Sequence, residues 1–332
     1  MDLAELENKK YQRKNLLDKI LKGFFLFLAL ICACFVIFIA LFITYKGIYP
    51  FIHNYSLDGS EYIHQDFKMF FINSRWLYNG MGGMFFLLLT TLYTTALSLI
   101  ISVPTSIFTA LLLSRIVPKK IKMVLQTCVE LLASIPSVIF GLFGVGVICP
   151  MVASLGIETF GGRSTLSAVI ILAIMSIPTM TMLSYNAMEG VDKRLIESSL
   201  ALGASPTQTN FKIVIGSSVS GIFAGIILGI GRALGEATAV QMVIGNNSLG
   251  TSFYNIFAPG NTLTSAMLTG IGEASGIGYD VRFSLGLVLI ILIMLVSASL
   301  SAIKRRLNPY YKKEDSLLYK IKARFSKKKG GM

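Results

Sequence analysis

The sequence predicts an all-α membrane protein with six transmembrane helices, and three observations lead to this fold class. The 332-residue chain is 54% hydrophobic and 14% charged, with a mean hydropathy of +0.68, which is too apolar for a single soluble domain. Its apolar residues fall into six runs, each near the length of about 20 residues with which a helix crosses a bilayer. Its basic residues alternate between dense and sparse segments, as is typical of multi-pass proteins.

The six apolar runs define the predicted spans. They contain few or no charged residues, and they lie at 23–45, 85–114, 123–149, 164–188, 217–243 and 285–303. The first run is longer than the apolar region of a signal peptide and no small-residue cleavage site follows it, so we expect it to remain as a span. Pro104, Pro136 and Pro178 fall inside predicted spans, where proline kinks a helix and frees backbone groups.

The positions of lysine and arginine predict the orientation of the chain. Four segments hold 24 of the 30 basic residues, namely 1–22, 115–122, 189–216 and 304–332. By the positive-inside rule these segments, and both termini with them, are expected in the cytoplasm. Most of the net charge of +13 therefore belongs to that face. We expect the basic tail, 304–332, to contact anionic lipid headgroups, and we expect no nucleic-acid partner, because no nucleic-acid-binding motif accompanies the tail.

The segments outside the six runs carry their own signals. Residues 1–22 mix charged residues with leucine and isoleucine, which predicts a short amphipathic helix at the cytoplasmic interface. The outer segment 46–84 is rich in aromatic residues, as expected of a chain that rests at the membrane surface or forms a docking surface. The outer segment 244–284 is rich in small polar residues, and it either half-enters the membrane or covers the mouth of a path.

Four hydroxyl residues in the second run, Thr91, Thr95, Ser98 and Ser102, fall on one helical face. Two interpretations are open. The hydroxyls line a polar path, or they bond to the carbonyl groups one turn earlier in their own helix, as is common in membrane helices.

One arginine and one glutamate, Arg232 and Glu236, lie inside the fifth apolar run. Charged residues are costly in hydrocarbon, so they usually face a partner or a watery cavity. Their i, i+4 spacing predicts a self-neutralising pair on one helical face. Gly221, Gly225 and Gly229 continue that face, and small residues at this spacing allow another helix to approach closely. The pair therefore belongs to an anion path, or it is a structural ion pair that holds two helices together.

The cytoplasmic segment 189–216 is the second informative region. Its pattern predicts a helix, a turn marked by Gly203 and a second helix. A compact helical hairpin of this kind can present a rigid surface to a soluble partner, whereas the alternative is an ordinary connection.

The sequence contains no GxxxxGK[ST] phosphate loop, nucleophile elbow or metal-hydrolase motif. We therefore expect that this chain does not hydrolyse ATP, has no catalytic residue and is not an enzyme. The cysteines and histidines lack metal-ligand spacing, so no metal is expected.

The hairpin resembles a known motif. Glu197-Ser198-Ser199, three further residues, Gly203, and then Ile213 to Gly216 after nine residues are similar to the EAA loop of binding-protein-dependent ABC importer permeases, EAA-x3-G-x9-I-x-L-P. Ser198 and Ser199 replace the two alanines, Ile215 replaces leucine, and Gly216 replaces proline.

Within these permeases the chain resembles the PstC-type subunit of phosphate importers over nearly its whole length beyond residue 20. The segments that carry this similarity are 129–144, 201–204, 231–236 with 245–246, and 262–265 with 272–274. The sister PstA-type subunit shares part of them. The resemblance implies the MetI-like type I ABC importer architecture.

The resemblance also implies the function and the partners. This chain would form a phosphate path with a PstA-type permease, two cytoplasmic ATPases that use ATP and Mg, and an external phosphate-binding protein, and would bind no cofactor itself. Arg232 and Glu236 would lie on the path, whereas Glu197, Ser198, Ser199 and Gly203 would seat in the ATPase. Glu130 matches a family glutamate near the cytoplasmic end of the third span, although a carboxylate that simply reaches the interface is an equal interpretation.

Two other functions remain open from the residues. One is a permease of the same architecture for another oxyanion, such as molybdate or sulfate. The other is a channel or secondary anion transporter that works without ATP. A non-transporting scaffold would leave the cost of Arg232 and Glu236 in the membrane unexplained.

Overall fold

The computed structural model describes residues 3–57, 61–73, 75–76, 82–155, 161–247 and 255–307. These residues are almost entirely helical, apart from one antiparallel pair of strands, β1 (Tyr55–Leu57) and β2 (Glu61–Ile63). The helices are α1 (Leu3–Ile52), α2 (Phe67–Ile72), α3 (Phe85–Leu111), α4 (Lys119–Ser134), α5 (Ser137–Phe143), α6 (Cys149–Ala153), α7 (Thr165–Glu189), α8 (Lys193–Ala201), α9 (Pro206–Gln208), α10 (Ile215–Gly235), α11 (Thr238–Val243), α12 (Leu263–Leu268) and α13 (Gly276–Leu307). Three π-helical turns, Leu112–Ile116, Gly144–Ile148 and Thr209–Val214, extend or join these helices.

The long helices confirm the predicted fold class. Among the described residues, five segments are long and apolar enough to cross a membrane, namely Leu17–Ile52, Phe85–Ile116, Thr165–Glu189, Pro206–Gly235 and Gly276–Arg306. A bent pair of helices supplies a sixth span if it is counted as one. The predicted N-terminal segment 1–22 is not separate from the first span, because α1 runs from Leu3 to Ile52 without a break. Most of the predicted basic tail, 308–332, lies outside the described residues.

The predicted third span, 123–149, is broken near its middle. Lys119–Ser134 and Ser137–Ala153 meet at 95°. Between them, Ile135 is extended (φ −64°, ψ 129°) and Pro136 precedes the next helix. A residue before proline avoids the helical region for steric reasons, and proline has no N–H to donate. By contrast, Pro104 and Pro178 lie within continuous helices.

A polar contact joins the C-terminal part of the first span to the N-terminal part of the last span. Lys46 Nζ lies 3.0 Å from Asp280 Oδ1, and Tyr55 Oη donates to Asp280 Oδ2 at 2.7 Å. Asp280 itself is buried. Burial, together with the hydrogen bond to Asp280, raises the pKa of the Tyr55 phenol. The phenol therefore stays protonated and serves as a donor to the carboxylate at neutral pH.

The aromatic segment 46–84 is partly buried in a core and does not form only a surface layer. Phe70 and Trp76 are both 1% exposed. They pack with Leu87 of α3 and with Val281 and Leu285 of α13. This part of segment 46–84 therefore packs into the helix bundle against α3 and α13.

Helix α7 is the centre of the bundle, where it packs against α3 and α10. The glycine row of α10 explains the close approach of α10. A Cβ at Gly221 would lie 2.2 Å from Ala187 Cβ, and a Cβ at Gly229 would lie 2.0 Å from Met180 Cε. The predicted packing face is therefore confirmed, and its partner is α7.

We expect Gly221→Ala to lower the thermal unfolding midpoint of the purified protein by several degrees. The Ala187 methyl group is fixed to its backbone, so α10 and α7 must separate, and overpacking of this kind costs about 1–3 kcal/mol. Gly216→Ala is the matched control, because nothing lies within 4 Å of a Cβ there. Equal unfolding midpoints for the two variants in detergent would contradict the packing assignment.

Segment 244–284 is buried in the fold over part of its described length. Asn261 and Leu263 are fully buried, and Thr262 and Thr264 nearly so. α12 packs against α3, α11 and α13, and Leu263 N donates to Thr91 Oγ1 at 3.0 Å. The described part of this segment therefore packs inside the helix bundle, and the two predictions for it, half-entry into the membrane and a cover over the mouth of a path, stay predictions.

Candidate functional site

Arg232 lies in the last turn of α10, directly after the glycine row that packs on α7. Its Nη1 donates to Thr179 Oγ1 of α7 at 2.8 Å. A guanidinium carries five N–H donors, so this contact orients the group and leaves most of its donors for other acceptors. The side chain is neither fully buried nor fully exposed.

A cavity of about 640 Å³ opens beside Arg232, between α7, α10 and α13. Its polar lining consists of Thr179, Arg232, Ser297, Ser301 and Lys304, and apolar residues of α10 form most of the remaining wall. Among the described residues, no carboxylate lines this cavity. The arrangement therefore offers two cations and three hydroxyls to an anion.

The predicted ion pair between Arg232 and Glu236 is not formed. α10 ends at Gly235, and Glu236 is extended (φ −72°, ψ 120°), so the two residues do not share a helical face. The ion pairs in the described part of the chain are Lys46–Asp280 and Lys122–Glu189. The prediction was wrong because it treated residues 217–243 as one uninterrupted helix.

Local hydrogen bonds explain why the helix breaks at Glu236. Its Oε1 accepts from Ala239 N at 3.1 Å, so the carboxylate caps the first turn of α11, where an acidic group is favourable. Its backbone carbonyl accepts from Thr264 Oγ1 at 2.8 Å. Glu236 thus connects α10, α11 and the segment that leads into α12, but it does not line the cavity beside Arg232.

The hairpin of segment 189–216 has the predicted form. α8 ends in a Schellman motif, in which Ala204 N donates to Ser199 O at 3.2 Å and Gly203 N donates to Leu200 O at 3.0 Å. Gly203 has a φ of +86°, which glycine adopts without steric cost. A capping box of Ser205 and Gln208 then starts the second arm.

The hairpin exposes its tip and secures its base. Glu197 and Ser198 are exposed, and Leu202 at the turn is 89% exposed. Ser199 is different, because its Oγ lies 2.9 Å from Thr209 Oγ1 and joins the two arms. The four residues predicted for the coupling loop therefore divide into an exposed pair, a bridging serine and a turn glycine.

Glu130 lies on α4, away from the cavity beside Arg232. Its exposed carboxylate accepts from Gln126 Nε2 at 2.9 Å, one turn earlier. The structure therefore does not bring Glu130 together with Arg232 or Glu236.

The hydroxyl row of α3 is buried against neighbouring helices. Thr91 Oγ1 donates to Leu87 O at 2.6 Å, and Ser98 Oγ donates to Thr95 O at 2.8 Å. These two hydroxyls therefore bond to carbonyl groups of their own helix, as the second interpretation of the row expects.

Sequence reasoning missed the cavity residues outside α10. Ser297, Ser301 and Lys304 stand at i, i+4 and i+7, which is one face of a helix. That spacing was visible in the sixth apolar run and its basic end. Thr179 lay within the fourth run without a distinguishing signal.

The chain matches known membrane transport proteins. A family model described as "Binding-protein-dependent transport system inner membrane component" matches residues 102–313. The chain is 36% identical over 200 residues to the probable ABC transporter permease protein YqgH of Bacillus subtilis. The alignment covers 60% of this chain and 64% of YqgH, so this chain spans slightly less than two thirds of the length of that relative.

Two further relatives carry a more specific name. The chain is 33% identical over 227 residues to the phosphate transport system permease protein PstC of Pasteurella multocida, covering 62% of this chain and 69% of that protein. It is 30% identical over 292 residues to the probable PstC of Methanocaldococcus jannaschii, covering 80% and 88%.

Solved structures share the fold. The bacterial alginate ABC transporter in complex with an alginate pentasaccharide-bound periplasmic protein aligns with a TM-score of 0.52 and 17% identity, covering 68% of this chain and 79% of that chain. An inward-facing MetNI methionine ABC transporter aligns with a TM-score of 0.50 and 20% identity, covering 68% and 94%. Together with the family model, these matches identify a multi-pass membrane protein of MetI-type architecture, a transport component rather than an enzyme. The chain belongs to the family of binding-protein-dependent transport system inner membrane components.

Proposed function

We propose that this chain is the PstC-type permease subunit of an ATP-driven importer that brings inorganic phosphate into the cytoplasm by alternating access. The observation that carries the proposal is Arg232, which lines a cavity between membrane helices without a carboxylate partner among the described residues. The PstC names of two relatives support phosphate as the anion.

The chemistry of Arg232 suits a tetrahedral oxyanion. A guanidinium presents a planar fork of donors that can bond two phosphate oxygens at once. The contact with Thr179 at 2.8 Å holds this fork in place. Transport also requires that the anion leaves again. In this conformation Glu236 does not pair with Arg232, so it does not weaken the binding of an anion to Arg232. A weakening partner would have to arrive with a conformational change or with another subunit.

The exposed hairpin supports an ATP-dependent mechanism. We propose that Glu197, Ser198 and Leu202 contact one of two cytoplasmic ATPases, which bind ATP and Mg, and that Ser199 and Gly203 keep the hairpin rigid. A PstA-type second permease and an external phosphate-binding protein complete the proposed complex. ATP binding would close the ATPases, and the hairpin would transmit that movement to α7 and α10, which flank it in the chain.

The exposed apolar helices support a location in the cytoplasmic membrane. In Leu17–Ile52 none of the most apolar stretch is buried inside the chain, which suits contact with lipid or with a second permease. The distribution of basic residues supports cytoplasmic termini.

A reconstitution experiment tests the function. Proteoliposomes should contain this chain with a PstA-type permease, the ATPase and the phosphate-binding protein, and labelled phosphate uptake should be measured with and without ATP. We expect uptake only with the complete set and ATP. Phosphate flux without the ATPase would overturn the ABC mechanism. Stronger competition by molybdate or sulfate than by unlabelled phosphate would assign the permease to another oxyanion.

A further inference from the structure

The geometry points to a second half of the anion site on α13, formed by Ser297, Ser301 and Lys304, which face Arg232 across one cavity and bind a phosphoryl oxyanion together with it. This inference rests on the proposed function and extends it, because it assigns a role to residues outside the segment that carries Arg232. The ligand chemistry is a phosphate group, either inorganic phosphate in transit or the phosphate of a lipid headgroup.

The three residues form a continuous polar stripe. They are spaced by four and three residues along α13, so they lie above one another on one helical face. All three line the cavity of about 640 Å³ that Arg232 also lines. Apart from Thr179, which bonds Arg232, the remaining lining comes from α10 and is apolar. The polar groups are therefore concentrated around the two cations.

The hydroxyls on this stripe are available for a ligand. Ser299, which does not line the cavity, donates its hydroxyl to Leu295 O at 2.8 Å in its own helix. Ser297 and Ser301 make no such bond within the described part of the chain. A serine hydroxyl that is not bonded to its own helix can donate to an oxyanion.

The charges favour an anion in this cavity. Arg232 and Lys304 are both cationic, and the described lining contains no acidic group. Two positive charges on the walls of one partly apolar cavity repel each other. An anion bound between them is attracted to both, and these two attractions offset the repulsion. The arginine can bond two oxygens, whereas the lysine acts as a compact point charge. Arg305 and Arg306 are exposed at the same helix end and do not line the cavity.

The test compares Lys304→Gln with Arg305→Gln in the complete reconstituted transporter. We expect the amount of phosphate transported per ATP hydrolysed to fall about fivefold in Lys304→Gln and to stay unchanged in Arg305→Gln, the effect of one charge-assisted contact at a half-exposed site. A purely structural defect would lower transport and hydrolysis together and leave their ratio unchanged. Lys304→Arg should restore the ratio. The double variant Ser297→Ala with Ser301→Ala should also lower it, whereas Ser299→Ala should not.

Two vesicle compositions separate the sources of the phosphate group. If the loss in Lys304→Gln is the same in vesicles of digalactosyldiacylglycerol, a lipid without phosphate, and in vesicles that also contain phosphatidylglycerol, the cavity binds inorganic phosphate. If the loss occurs only with phosphatidylglycerol, the cavity binds a lipid headgroup phosphate. If Lys304→Gln matches Arg305→Gln in both vesicles, the inference is overturned. A wild-type complex that transports no phosphate would instead refute the proposed function, which is a separate outcome.

Discussion

Arg232→Gln is expected to lower phosphate uptake by at least about thirtyfold while the transporter still assembles. In the proposed mechanism the bound anion is enclosed beside Arg232, and removal of one partner of an enclosed charged hydrogen bond costs about 2–5 kcal/mol. Each 1.4 kcal/mol is a factor of ten. Glutamine keeps part of the side-chain volume and can still accept a bond from Thr179, so the helices should remain in contact. The measurement is ATP-dependent uptake of labelled phosphate, with copurification of all subunits as the check on assembly.

Thr179→Val is the matched control for this change. It removes the hydroxyl that holds Arg232 Nη1 at 2.8 Å, but it leaves the positive charge in the cavity. We expect a smaller loss, under about tenfold, because only the orientation of the guanidinium is disturbed. If Arg232→Gln transports phosphate at the wild-type rate, Arg232 does not belong to the anion path, and a structural role on α10 replaces it.

Gly203→Val is expected to uncouple ATP hydrolysis from phosphate transport or to prevent the ATPase from binding. Gly203 has a φ of +86°, and a β-branched residue is strongly disfavoured there. The left-handed conformation alone costs about 1–2 kcal/mol for a residue with a Cβ, so the turn between α8 and α9 should change shape. The measurements are ATPase copurification and the ratio of phosphate transported to ATP hydrolysed.

Gly216→Val distinguishes this effect from a general loss of glycine. Gly216 is exposed within α10, its φ is not positive, and nothing lies within 4 Å of a Cβ built there. We expect this variant to bind the ATPase normally. Normal coupling in Gly203→Val as well would show that the turn is not the point at which movement passes between the ATPase and the membrane helices.

The hairpin could be predicted well because its signals are local. Gly203 directly follows three apolar residues and is followed by Ser205, Pro206 and Gln208. This pattern specifies a Schellman motif and a capping box through bonds between near neighbours. The packing face formed by the glycine row of α10 could also be predicted, since small residues at helical spacing have few roles other than close packing. The sequence did not reveal that α7 is the helix against which the row packs.

The interior of the third and fifth predicted spans was predicted less well. Hydropathy measures whether a stretch is apolar, and a broken helix buries the same residues as a continuous one. Pro136 marked the first break, but Pro104 and Pro178 carry the same signal inside continuous helices. The break at Glu236 depends on Ala239 and Thr264, and Thr264 lies 28 residues away in the chain.

The sequence by itself determined the membrane class, the approximate positions of the spans and the form of the hairpin in segment 189–216. These features follow from composition and from interactions between residues within a few turns of each other. The tertiary structure alone decided that Arg232 bonds Thr179 instead of Glu236, and that Lys304 lines the same cavity as Arg232. The physical reason is that the neighbours of a charge inside a helix bundle depend on how helices that are far apart in the chain pack together. No pattern within one helix specifies that packing.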